Sequence, residues 1–343
     1  MKGKNLVFMV ALGVIFLLLS SCAFQLEYTP TRYALVYGVG DYTLTNTSQP
    51  TIGSATLPNI PGASNDAQDF GNLLTPLGFS VTTKTDAAAT YTAISADIAD
   101  HATKAKPGDT VLFYFAGHGA VVYEDEKGDS QLFFANRTTS TTGDNQEQYT
   151  NARSFVFPYR DANWNVGDPE LITNTVLTTF FDGYDPGVNI VIVVDACFAG
   201  GLIVESGVGV NELPRSYSQS SLYYIESENV PVLPTTVSRF LTYTREDRSN
   251  FFYISAAGPL EESWEVLDSQ SNRRNGVFTT ALRSALEDPN TDMNRDNLIT
   301  FDETYQKAYR DISSNWNAVY TYRAQYLPHI STGSMDLVLY ELP

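Results

Sequence analysis

Two apolar runs in this chain stop at residues able to do chemistry. "LFYFAGHGA" ends at His118 between two glycines, and "VIVVDACFAGG" ends at Cys197, two places after Asp195. A free thiol is only a few per cent thiolate at neutral pH, and the thiolate is the nucleophile. An imidazole beside it can take the thiol proton and later hand it to a departing amine. The backbone amides of Gly119 and Cys197 are candidates to hydrogen-bond the oxyanion that forms on attack, at roughly 3 kcal/mol per donor. Taken singly, each residue has a plainer reading: cysteine is among the most buried residue types, and a lone histidine can be a hydrogen-bonded core residue.

For His118 and Cys197 to meet, their strands must be neighbours, because reactive groups in open parallel sheets collect where strands stop at their carboxyl ends. The rest of the pattern allows this. "RYALVYGVGDY" reads as a first strand at Tyr33 to Val39, "GASNDAQDFGNLLTPLGF" as a helix with Ser64 or Asn65 as its cap, and "FSVTTK" as a second strand. "TYTAISADIADHATKAKPGD" is a helix ending at Pro107-Gly108, and "TVLFYFAG" is a third strand of the continuous apolar kind found inside parallel sheets. Residues 137–170 are polar and read as a long loop or hairpin insertion. "LITNTVLTTFFDGY" reads as a helix, "NIVIVVDA" and "NFFYISAAG" as the fourth and fifth strands, and "GVFTTALRSALED" and "TFDETYQKAYRDISS" as helices before a last strand, "MDLVLYEL". Alternating strands and helices predict an α/β fold of three layers, α/β/α, around a mostly parallel central sheet.

The 343 residues carry 39 acidic and 21 basic side chains, a formal charge of −18. Such a surface repels nucleic acid and favours cationic partners. The N-terminus has two lysines and an apolar run from Leu6 to Leu19 that is short for a bilayer span and fits a cleaved signal. The Leu-Ser-Ser-Cys that follows resembles the lipobox of bacterial lipoproteins, which makes Cys22 the expected lipidation site; an ordinary signal peptide with a bystander Cys is the other reading. The resulting organisation is a signal peptide at 1–21, a tether at 22–31 and one domain at 32–343, placed outside the cytoplasm and held to the cell-envelope membrane by lipid. Cys197 is then the one cysteine of the body of the chain, with no disulfide framework to explain it.

At "YFAGHGA" and "VVDACFAGG", 79 positions apart from His118 to Cys197, the sequence resembles the caspase-like cysteine peptidases, in particular the bacterial metacaspase and orthocaspase branch. "PGASNDAQDFGNLLTPLGFSV", "FFYISAAGPLEES", "NGVFTTALRSAL" and "GSMDLVLYEL" extend the likeness over nearly all of residues 32–341. The resemblance implies the caspase–haemoglobinase fold, with a large-subunit-like half at 32–204, a linker at 205–248 and a small-subunit-like half at 249–343. It makes His118 and Cys197 the catalytic dyad, and Asp66 and Asp195 the acids that bind a basic P1 side chain, so that peptides or proteins would be cut after Arg or Lys without any cofactor. Phe198 departs from the histidine many metacaspases carry there. Two competing readings stand beside this one: a caspase-like interaction module without activity, and a thiol hydrolase or transferase acting on something other than peptides.

"DMNRDNLITFDE" sets Asp292, Asn294, Asp296, the carbonyl of Leu298, Thr300 and Glu303 at the ligand positions of an EF-hand-type calcium loop, with Asn297 where glycine is usual. Calcium occupancy and a metal-free turn capped by Asp and Thr are both open at this point. The remaining candidates have ordinary expectations: His101 on the exposed side of a helix, His329 in a loop, and Trp164, Trp264 and Trp316 in packing. Glu261, Glu262 and Glu265 either fringe a substrate cleft or form a solvated acidic face. One body cysteine and three scattered histidines do not make a zinc site.

Overall fold

The structure, a computed structural model, describes residues 28–52, 55–125, 130–134, 149–165, 167–202, 250–258, 262–268, 272–317, 328–330 and 337–342. Cys22, Glu261 and the expected 205–248 linker lie outside the described residues. By its internal contacts the chain forms two units, residues 1–30 and 31–343, and the elements below belong to the second.

Its centre is a sheet of six strands. β1 (Arg32–Gly38), β2 (Phe79–Thr85) and β3 (Thr110–Ala116) come from the first part of the chain. In the second sheet, β4 (Gly119–Asp125) pairs antiparallel with β5 (Ser130–Phe134) and β6 (Tyr149–Val156), and β6 with β7 (Ile172–Thr173). The central sheet is completed by β8 (Asn189–Asp195) and β9 (Phe251–Ser255). Further on are a hairpin of β10 (Glu265–Asp268) with β11 (Arg273–Gly276), β12 (Leu298–Thr300), β13 (His329–Ile330) and β14 (Val338–Glu341). The central order is β13-β9-β8-β3-β1-β2, with five strands parallel and β13 antiparallel at the edge.

Period-two alternation sorts the strand side chains into two cores. On one face Leu35, Tyr37, Phe113, Phe115, Ile192 and Val194 pack with Ile94 and Ile98 of α2 (Tyr91–Ala102) and Leu177 of α3 (Asn174–Phe180). On the other, Val36, Leu112, Tyr114 and Val193 pack with Phe70 and Leu74 of α1 (Pro61–Leu74), Leu282 of α4 (Val277–Glu287) and Tyr305 of α5 (Phe301–Asp311). The three-layer α/β/α architecture predicted from the sequence is therefore present. β3 and β8, buried on both faces, are the strands that read as unbroken apolar runs.

Several local expectations change. Helix α1 starts at Pro61, one turn earlier than its expected cap, and Ile60 at its N-cap gives no side-chain hydrogen bond. Proline has no N–H to leave unsatisfied at that position. Of the two readings of the polar insertion, loop or hairpin, the second fits β6, which lies within it and pairs antiparallel on both sides. His329 is in β13 rather than a loop, and the last strand, β14, pairs with β12 in a separate two-stranded sheet. His101 is buried against the ring of Tyr33, 5.2 Å away edge-on, rather than exposed. Trp164 and Trp316 are buried, and Trp264 packs partly buried against the second core.

Candidate active site

β3 and β8 are adjacent and parallel, and their register pairs Ala116 with Asp195. His118 and Cys197 each follow two residues later, so the two side chains leave neighbouring strands at the same level of the sheet. The strand ends are tied together where Gly117 N–H donates to Asp195 O at 3.2 Å. At Gly119 a Cβ would collide with the carbonyl oxygen of Cys197. This glycine therefore lets the two motif backbones touch.

His118 is held from three sides. Its Nε2–H donates to the carbonyl of Pro58 at 2.8 Å, and its backbone N–H donates to Tyr42 Oη at 2.9 Å. Its carbonyl accepts from Phe157 N at 3.1 Å, and the Tyr42 ring lies 4.8 Å from the imidazole. The Pro58 bond selects the tautomer in which Nδ1 is the basic nitrogen. Burial drives the imidazole down to about 4, against the opposing pull of the Pro58 carbonyl. Neither Tyr42 nor Pro58 carried any signal in the sequence, because both reach His118 only through the fold.

Cys197 is buried, and its Sγ–H points to the carbonyl of Ser263 at 3.7 Å. Burial pushes the thiol up to about 12, with Glu262 and Asp195 adding to the rise and the Ser263 contact opposing it. Phe198, next in the chain, has φ 59° and so sits in the left-handed region that non-glycine residues rarely occupy. The turn it makes leads into the 3₁₀ segment Ala199–Leu202, anchored where Gly200 N donates to Ala257 O.

The acids expected to bind a basic side chain come together from distant parts of the chain. Asp195 Oδ1 accepts from Ser263 Oγ at 2.6 Å, and its Oδ2 accepts from Thr279 N at 3.2 Å and Thr279 Oγ1 at 2.6 Å. Asp66 accepts from Asn275 Nδ2 at 2.9 Å and from Gly276 N at 2.7 Å. A Cβ at Gly276 would meet the carboxylates of both Asp195 and Asp66. Burial raises both carboxyls, and for Asp66 the neighbouring Asp195 charge raises it further. A third acid joins them: Glu265 is raised to about 7, first by burial and then by Asp195, while the amides of Ala63 and Gly62 donate to it. Glu265 thus caps α1 from across the site, which supplies the N-terminal acceptor that Ser64 and Asn65 do not. Those two residues are turned elsewhere, Ser64 to Asp86 and Asn65 to Arg273 and Arg274. Glu265 is therefore largely buried beside Asp195 and the start of α1 rather than on a solvated acidic face.

The candidate calcium loop joins α4 to α5. Asn297 has φ 65°, as its glycine-type position requires. The carboxylates are engaged by the loop itself. Asp292 accepts from the amides of Asp296 and Asn297, and Asp296 from that of Leu298. Glu303 Oε1 takes the amide of Met293 at 2.9 Å, and its Oε2 closes a capping box with Thr300. Among the described residues no group of three or more His, Cys, Asp or Glu is arranged to hold a metal ion. As placed, Asp292, Asn294, Asp296, Leu298 and Glu303 form a loop closed by hydrogen bonds.

A sequence profile described as the caspase domain matches residues 31–335. The chain belongs to the caspase-domain family. That family is one of hydrolases, cysteine peptidases whose substrates are peptides or proteins. Among solved structures, protein GSU0716 from Geobacter sulfurreducens aligns over 92% of this chain and 100% of its own, at 13% identity and a TM-score of 0.50. Caspase-1 from Spodoptera frugiperda aligns over 91% of each chain at 13% identity and a TM-score of 0.44. A search of curated proteins finds no match. Among the described residues no helix is long and apolar enough to cross a membrane.

Proposed function

We propose that this caspase-domain protein is a cysteine endopeptidase that uses Cys197 and His118 and cleaves after Arg or Lys. The observation that carries the reading is the shared register of the two strand ends, with the imidazole fixed by the Pro58 carbonyl. In the acylation step Sγ bonds to the scissile carbonyl carbon while the thiol proton passes to His118 Nδ1. The carbonyl oxygen becomes an oxyanion, for which the amides of Gly119 and Cys197 are the proposed donors. The C–N bond then breaks as the imidazolium returns the proton to the leaving amine. Water attacks the thioester in the second half, with His118 again as base.

Support for a basic P1 side chain is electrostatic. Asp66, Asp195 and Glu265 are gathered with little solvent and raised by their burial, a state that a guanidinium or ammonium would relieve. Arg can meet a carboxylate with two parallel N–H bonds, whereas Lys offers a point charge. The lipid anchor on Cys22, and with it an envelope location, belongs to the same proposal and rests on the Leu-Ser-Ser-Cys motif.

The test is hydrolysis of fluorogenic peptides that differ only in P1. Cleavage after Arg or Lys and not after Asp is expected, with loss in both Cys197→Ala and His118→Ala. Turnover of the Asp peptide alone would reverse the pocket assignment. No turnover of any peptide, with Cys197 still slow to alkylate after a basic peptide is added, would favour an interaction module. Incorporation of labelled fatty acid into wild type but not Cys22→Ser tests the anchor.

A further inference from the structure

Ser263 touches the nucleophile and the acid pocket at once. Its hydroxyl donates to Asp195 Oδ1 at 2.6 Å, and its own backbone carbonyl receives the Cys197 thiol at 3.7 Å. The residues it bridges are two apart at the end of β8, so one residue from a different part of the chain clamps both. Downstream of Ser263 the backbone is anchored, because the Trp264 carbonyl accepts from Val277 N at 2.8 Å and β10 begins at Glu265. Ser263 itself is half-buried, at the rim of the site.

We infer that Ser263 is a positioning residue that couples entry of a cationic side chain at Asp195 to release of the Cys197 thiol. The inference rests on the basic-P1 reading above and adds to it a direction of control. A cation reaching Asp195 meets Oδ1, because Oδ2 already takes two hydrogen bonds from Thr279. A guanidinium N–H competes there with the Ser263 hydroxyl. When the hydroxyl gives way, the peptide unit carrying the Ser263 carbonyl moves with it, and the thiol hydrogen loses its acceptor. Sγ–H is then directed to His118, whose Nδ1 receives the proton as sulfur attacks. With the pocket empty, the same clamp keeps the thiol hydrogen on the Ser263 carbonyl.

The probe is agmatine, a guanidinium on a short aliphatic chain, and the readout is the rate of iodoacetamide alkylation of Cys197 followed by mass spectrometry at fixed neutral pH. Agmatine is expected to raise the melting temperature and to accelerate alkylation of the wild type several-fold. Ser263→Ala is expected to react at the accelerated rate without agmatine and to gain nothing from it, while Ser263→Thr, which keeps the hydroxyl, retains the response. Agmatine that binds but leaves alkylation unchanged or slower would overturn the coupling and leave the pocket reading standing. Agmatine that produces no thermal shift would overturn both. The wild-type comparison decides the matter even if Ser263→Ala does not fold.

Discussion

The carbonyl oxygen of Cys197 occupies the space in which a side chain at Gly119 would begin. A methyl group there has to push the nucleophile loop away from the histidine loop. Gly119→Ala is therefore expected to cost about 1–3 kcal/mol, the usual range for overpacking a filled site, and to abolish peptide cleavage. A thermal melt and a peptide assay check this together; a variant that melts and cleaves like wild type would show that the two loops are not in contact.

Burial holds the Cys197 thiol up at about 12 and the His118 imidazole down at about 4, so both are neutral between those values in the resting protein. Alkylation of the free protein is expected to keep rising with pH beyond the ~8.5 midpoint of an ordinary cysteine. His118→Ala should reduce peptide turnover by roughly 10²–10⁴-fold, the range for loss of a general base. A flat, fast alkylation profile from acid to neutral pH would instead mean a resting thiolate–imidazolium pair.

Glu265 gives a pH signature of opposite sign to that of an ordinary salt-bridged acid. Its folded value of about 7 exceeds the usual 4.5, so between these values the folded chain binds the extra proton. Stability from this group is complete below 4.5 and falls as pH rises through 7, by roughly 3 kcal/mol at ~1.4 kcal/mol per unit. Glu265→Gln, which still offers an acceptor to the α1 amides, should lose nothing over that interval. Melting curves of the two proteins from pH 4.5 to 8 are expected to diverge in favour of the variant; parallel curves would contradict the burial of this carboxyl.

The loop from Asp292 to Glu303 is closed by its own amides. Its fold is expected to be independent of calcium, with the same melting temperature in chelator and in millimolar calcium. A rise of several degrees on adding calcium, absent in Glu303→Gln, would show that the ion replaces the Met293 amide on Glu303.

The strands that matter most were legible because β3 and β8 are buried on both faces and therefore written as continuous apolar residues. His118 and Cys197 stood out against that background. What the sequence hid was made by long-range contacts. Ser263 and Asp195 are 68 positions apart, and Asp66 and Gly276 are 210 apart. No local pattern marks Ser263, an ordinary polar residue until the fold brings it to Asp195, and the acidic run that holds Glu265 does not show that this carboxyl meets the α1 amides. The misplaced start of α1 has the same origin, since its N-terminal acceptor comes from Glu265 and not from a neighbour in the chain. His101 misled because helical periodicity locates a face but does not reveal the Tyr33 ring packed on it.

The bonds between α1 and the β10–β11 hairpin have a consequence for chain integrity. Asp66 and Asp69 hold Asn275, Arg273 and Arg283, and β8 pairs with β9 along five residues, all across the stretch from 203 to 249. A single nick within that stretch would leave two polypeptides interlocked through a common sheet. Such a cut protein should elute from a sizing column as one particle and part into two bands only in detergent.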